Sequence, residues 1–272
     1  MNRYKQILYV KRGPILRVTM NRPRYHNAQS RILLEELDQA FQEGAADPEV
    51  RVIILAAEGE HFSSGHDLGT PEQKADDEQR PFAHGLPGKY QRQWELYHDR
   101  GIRWRDLPKP TIAEVHGYCI FGGWLIASAM DLIVASEDAL FLPSFLQYFS
   151  MPWDVGAKKT KEILFQMRFV KAKEACDLGF VNIVASREKL EAETMALAER
   201  IAESDPLFTR LVKLSINQVQ DVAGFRVAAQ SAFSNYMLIH EAGLVRSQQD
   251  IDSGKRTLSR VDQAFRHLKE SE

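Results

Sequence analysis

Apolar and polar positions alternate in three distinct regimes along the chain. At the start, Ile7–Val10 and Ile15–Met20 are short β-branched runs split by Arg12-Gly13-Pro14, which reads as two strands and a turn. Ser30 then stands as an N-cap before a helix to about Gly44, with Ile32, Leu33, Leu37, Ala40 and Phe41 on one face. After Asp47-Pro48, the nearly all-apolar run Val50–Ala57 predicts a strand covered on both faces.

A polar stretch interrupts this rhythm. Thr70–Arg80 (TPEQKADDEQR) has no clear period and reads as a mobile loop, extended by the Pro and Gly punctuation of Pro81–Gly88. Helical spacing resumes over Lys89–Arg105, with Tyr90, Trp94 and Tyr97 on one face, until Pro108 and Pro110 end it. Thr111–Val115 and Asp131–Ala135 predict buried strands flanking a helix that begins near Gly122. Asp154–Met167 and Ala172–Leu178 predict short helices, with Gly179 as a stop and Val181–Val184 as a strand. From Arg187 onward the pattern is helical, and Pro206 suits the first turn of a helix. The expected division is an α/β core over residues 1–184 and a helical region over 185–272.

Composition narrows the class. The 272 residues are 44% hydrophobic and 26% charged with a formal net charge of -2, which fits a globular chain and leaves no footprint for nucleic acid or a membrane surface. Cys119 and Cys176 form no metal or redox spacing. The amino end lacks the continuous apolar core of a signal peptide, and no run approaches a membrane span, so a cytoplasmic protein is expected.

Candidate chemistry concentrates in two segments, His61–Leu68 (HFSSGHDL) and Lys109–Phe141 (KPTIAEVHGYCIFGGWLIASAMDLIVASEDALF). Each places a glycine-bracketed turn beside an apolar element. Gly65 lets the chain aim the N–H of His66, while Gly122 and Gly123 open an apolar helix whose first amides have no intrahelical acceptor. Two main-chain donors fixed on one oxygen stabilise an oxyanion, so the chain is expected to handle a carbonyl that becomes negatively charged. There is no Gly-x-Ser-x-Gly elbow, His240-Glu241 lacks a second histidine at zinc-site spacing, and no phosphate loop or dinucleotide fingerprint appears.

The order and spacing of NRPRYHNA at Asn21–Ala28, HFSSGHDL, KPTIAEVHGYCIFGG, MDLIVASEDALF and AKEACDLGFVNIV at Ala172–Val184 resemble the crotonase superfamily, the enoyl-CoA hydratase and isomerase relatives. The resemblance covers most of the chain from Asn21 to Val184. It implies an α/β fold, a spiral of ββα units with trailing helices, assembled as homotrimers or dimers of trimers. It also implies an acyl-CoA thioester as substrate, with no cofactor beyond that coenzyme A. By the same resemblance the amides of His66 and Gly122 hold the thioester oxygen beside Gly123. The Arg24–Ala28 and Ser64–Leu68 segments, Gly65 and Asp67 among them, line the coenzyme A channel.

The hydratase pattern fails at its two glutamates, whose places fall on Leu125 and Phe145. Paired carboxylates activate water and deliver a proton to carbon, which leucine and phenylalanine cannot do. Asp154, in SMPWDVGAK, is the better acid–base candidate and equally an N-cap for the helix that follows. Trp153 fits an acyl-pocket wall or a packed aromatic. The His66 imidazole, titrating near neutrality, could give a proton to an enolate. Decarboxylation or carbon–carbon hydrolysis therefore suits this chain better than hydration. A hydratase with substitute acid–base groups, or a non-catalytic acyl-CoA-binding subunit, are the alternatives.

Overall fold

The computed structural model describes residues 3–143, 146–252 and 259–270. Strands β1 (Ile7–Arg12) and β2 (Ile15–Met20) form an antiparallel hairpin. Strands β3 (Val52–Ala57), β4 (Thr111–Val115), β6 (Leu132–Ser136) and β9 (Ile183–Ala185) then add in parallel, giving the order β1-β2-β3-β4-β6-β9. A smaller sheet of β5 (Tyr118–Ile120), β7 (Leu140–Leu142) and β8 (Val170–Lys171) stands beside it.

The all-apolar β3 run is explained by its two coverings. Successive side chains of a strand point to opposite faces. Ile53 and Leu55 join the cluster that contains Leu33, Leu37 and Phe41 of helix α1 (Arg31–Ala46), which Ser30 caps by accepting the Leu33 N–H. Val52, Ile54 and Ala56 face the other way, onto Leu190 and Ala198 of helix α9 (Leu190–Ala202). The expected cut at residue 184 falls within β9, and the helix that seals one face of the sheet lies beyond it.

From residue 71 to the approach to β4 the chain is largely helical. Thr70–Arg80, expected to be a mobile loop, is helix α2 (Pro71–Gln79). Thr70 caps it through the Gln73 N–H, Pro71 occupies its first turn, and Arg31 clamps it through Asp76 at 3.3 Å and Asp77 at 3.1 Å. Its polarity made it illegible as a helix, because buried ion pairs rather than apolar periodicity hold it. Helix α3 (Gly85–Gln93) continues through a π-helical segment, Trp94–Asp99, into α4 (Arg100–Arg105). The π segment sets Leu96, Tyr97 and His98 inward.

Helix α5 (Gly122–Ser128) crosses from the small sheet to the start of β6. Beyond it lie α6 (Met151–Asp154), α7 (Ala157–Gln166), α8 (Ala172–Asp177), α10 (Pro206–Val222), α11 (Phe225–Asp252) and α12 (Arg260–Glu270). Asp205 caps α10 through the Phe208 N–H. Among the described residues, no helix is long and apolar enough to cross a membrane.

Candidate active site

Residues 63–67 run as a narrow ribbon between two neighbours. On one side Ser63 N–H donates to Tyr118 O and Ile120 N–H donates to Ser63 O; on the other, Gln29 N–H donates to Gly65 O and Asp67 N–H to Gln29 O. The ribbon is thereby fixed against both the start of α1 and the strand leading into α5. Gly65 has φ +96, and a Cβ on it would lie 2.9 Å from Ile120 O and 3.4 Å from Gly122 N. Only glycine permits that approach, and it brings the two turns into contact.

Phe121 completes the geometry. Its φ of 48 is rare for a side-chain-bearing residue, and its N–H donates to Leu142 O at 2.8 Å. The twist lets the chain leave β5 and present Gly122 N–H beside the ribbon. Neither that amide nor the His66 N–H donates to an acceptor among the described residues.

The half-buried His66 side chain packs against the Tyr97 ring at a centroid distance of 3.7 Å, with its Nδ1 closed to solvent. Its Nε2 lies 2.8 Å from Gln147 Oε1, while Gln147 Nε2 donates to Gln93 Oε1 at 2.6 Å. Gln147 thus offers an acceptor, so Nε2 carries the proton and Nδ1 keeps its lone pair. Burial pushes the imidazole pKa down to about 4, with the Gln147 hydrogen bond opposing. This corrects the expectation of a group titrating near neutrality: at pH 7 the ring is neutral, and its Nδ1 is an acceptor without a partner among the described residues.

Asp154 lies elsewhere. Its carboxyl lines a cavity of about 380 Å³ together with Ser128 and Met130 at the far end of α5, Tyr148, Phe225 and residues of α10. Gly122 and Ser128 are roughly 9 Å apart along the helix axis, so this carboxyl does not join the amide pair. Burial raises its pKa to about 6, against the Ser150 hydroxyl that donates to Oδ2 at 2.6 Å. Nor does Asp154 cap the following helix, because Gly156 is the N-cap of α7 and Asp154 closes the short α6. Trp153 packs edge-on to Phe225 at 5.1 Å.

Several expected substrate contacts have structural work of their own. Asp67 is buried and saturated, accepting from Arg22 at 2.9 Å and from the Gly69 and Thr70 amides and the Thr70 hydroxyl. The Ala28 carbonyl is taken by the Arg22 guanidinium. Gly123 is held to glycine by Ser63 O, 2.9 Å from where its Cβ would be, and Leu125 is buried in the main core. Arg24 is exposed, Leu68 is 97% exposed, and the half-buried Ser64 donates its N–H to His26 O. Phe145 lies outside the described residues. The residues that surround His66, namely Gln29, Tyr97 and Gln147, carry no motif. Only the position of Gln29 directly after Ala28 hinted at it.

Of the remaining carboxylates near in sequence, Glu114 is bound by both arms of Arg17 at 2.7 and 2.8 Å, while Glu137 and Asp138 are exposed. Among the described residues, then, the amide pair has a neutral imidazole beside it and no unpaired carboxylate identified there.

Residues 11–249 match the model of the enoyl-CoA hydratase/isomerase family. A solved structure of a probable enoyl-CoA hydratase from Mycobacterium smegmatis is similar at 42% identity, TM-score 0.81, covering 89% of this chain and 97% of that one. An enoyl-CoA hydratase/isomerase from Xanthobacter autotrophicus Py2 is similar at 33% identity, TM-score 0.79, covering 87% of each chain. EchA13 of Mycobacterium tuberculosis is 37% identical over 247 residues, 84% of this chain and 78% of its own.

Proposed function

The chain belongs to the enoyl-CoA hydratase/isomerase family, and from that membership we propose that it is an acyl-CoA enzyme whose chemistry passes through a thioester enolate. The His66 and Gly122 amides receive the enolate oxygen. Decarboxylation or carbon–carbon hydrolysis is the reaction class, in preference to hydration. The observation that carries this reading is the adjacency of two uncommitted amides to a neutral imidazole, with Leu125 buried in the core where a hydratase carries its first glutamate.

Preorganised donors of this kind lower the barrier by stabilising charge that appears only in the transition state. Proton handling falls to His66, since Asp154 lies toward the other end of α5. The names of the solved relatives favour hydration, and in that second reading His66 replaces the missing carboxylates. Incubation with a varied acyl-CoA panel, read by mass spectrometry, separates the classes. Loss of carbon dioxide or cleavage of a carbon–carbon bond supports the proposal; rapid gain of water by a short enoyl-CoA overturns it.

Self-association into a homotrimer or dimer of trimers, expected from the resemblance, belongs to the same proposal. Helix α10 leaves Phe208, Ile216 and Val219 at 62, 58 and 70% exposure, an apolar face that subunit contact would cover. Sedimentation of the purified chain tests it.

A further inference from the structure

The cavity at the far end of α5 holds one more carboxylate than the surrounding cations match. Arg105 pairs with Asp106 at 3.0 Å and with Asp221 at 3.1 Å, and Arg226 pairs with the same two aspartates. Lys213 pairs with Asp131 at 2.7 Å. Those three cations answer three carboxylates. Asp154 is the fourth: the Ser150 hydroxyl donates to its Oδ2, and no lysine or arginine among the described residues forms an ion pair with it.

A second polar group waits beside it. Tyr148 is 3% exposed and lines the same cavity. Its hydroxyl has no hydrogen-bond partner among the described residues and is not one of the atoms sealed from solvent, so it opens onto the cavity. Burial and then the Asp154 charge push the phenol pKa up, which places the two groups near one another. The Phe225 ring stands edge-on to Tyr148 at 5.9 Å, and Met130, Leu132 and Val212 add apolar wall. A carboxylate set into such a wall without a counter-charge favours a cationic partner. An anion finds no free cation here, because Arg105 is also held by Asn217 O and Lys213 by Lys109 O.

We propose that this cavity is a second binding site, for a small organic ammonium ion, with Asp154 as its counter-ion and the Tyr148 hydroxyl accepting one of its N–H groups. An ammonium carries three donors, enough for both oxygens, and charge-assisted bonds of this kind are the strong ones. The hydrocarbon body of the ligand meets Met130, Leu132, Val212 and Phe225. At about 380 Å³ the cavity falls within the size range of small-molecule sites. The inference goes beyond the acyl-CoA reading and does not depend on it. Coenzyme A is polyanionic and is repelled by the surplus carboxylate, and the length of α5 keeps this ligand roughly 9 Å from the Gly122 amide.

Titration calorimetry on the full chain near neutral pH compares three probes of similar shape: phenethylammonium, phenethyl alcohol and phenylacetate. The expected result is one ammonium bound per chain, about tenfold or more tighter than the alcohol, with no competition from phenylacetate. Asp154→Asn should abolish the preference for ammonium over alcohol, and Tyr148→Phe should weaken ammonium binding by a few-fold, both at thermal unfolding close to wild type. Equal affinity for ammonium and alcohol, no ammonium binding, or a preference that survives in Asp154→Asn overturns the site. Carbon-13 NMR of the Asp154 carboxyl in the unaltered protein gives a readout that needs no variant. Its midpoint should fall from about 6 when phenethylammonium is added; a midpoint that stays put overturns the proposal as well.

Discussion

His66 Nε2 and Gln147 Oε1 lie 2.8 Å apart, and the direction of that hydrogen bond settles what the rest of the imidazole can do. With Nε2 protonated, Nδ1 is a base on the side of Gly122. A carboxylate in place of the Gln147 amide would favour the charged ring. Gln147→Glu is expected to move the His66 titration upward from about 4 by about one unit or more, followed by nitrogen-15 NMR. An unmoved midpoint would show that the contact does not govern the ring.

Two half-buried groups, His66 and Asp154, oppose one another in the acid range. The His66 pKa falls from 6.5 to about 4 on folding, so between those values the unfolded chain takes up the proton, and stability rises with pH. The Asp154 pKa rises from 3.8 to about 6, so over nearly the same window the folded chain holds the proton, and stability falls with pH. Each is worth about 3 kcal/mol at full extent, and in the wild type they nearly cancel. Urea unfolding between pH 4 and 6.5 should therefore show stability climbing with pH in Asp154→Asn and declining with pH in His66→Leu. Parallel profiles for the two variants would contradict the assignment.

Gly122→Ala sets a methyl group against Gln29 Oε1 and His66 Nδ1. Something must shift, and the Gly122 amide, the proposed oxyanion donor, shifts with it. Turnover should drop by about 10²–10³-fold, with a stability loss of about 1–3 kcal/mol. Steady-state kinetics beside calorimetry separates the two effects; full activity with intact folding would remove this amide from the chemistry.

Asp67 offers a contrasting case. Its carboxylate pairs with the buried Arg22 and caps the turn into α2. Asp67→Ala strands that guanidinium and should cost about 3–5 kcal/mol, whereas affinity for a coenzyme A thioester should change by only a few-fold. A large affinity loss at unchanged stability would return Asp67 to the binding surface.

What could be read from the chain beforehand follows from what each element is made of. The β3 run and the α1 stripe were legible because their apolar periods record burial directly. The sharp turns at Gly65 and Gly122 were legible because close backbone approach demands glycine. Helix α2 was not, since Arg31, Asp76 and Asp77 hold it through charges distant in sequence. The small sheet was missed too: β5, β7 and β8 have only two or three residues each, too few for a period. At the site, Tyr97 meets His66 through a π-helical segment that ordinary helical spacing does not reveal, and Gln29 and Gln147 belong to a residue type with no motif. The separation of Asp154 from the amides was invisible because it depends on which way α5 runs.

Phe121 ties helix α12 to the turn that carries the Gly122 amide. The backbone twist at this residue is held by Leu142, and its side chain packs in the cluster formed by Ile120, Leu142 and Phe169 with Val261, Ala264 and Phe265 of α12. Residues more than a hundred positions downstream thus brace the joint that points Gly122. A chain cut before residue 259 would keep every catalytic side chain named here and still be expected to lose rate, because the donor would wander while the rest of the molecule stood firm.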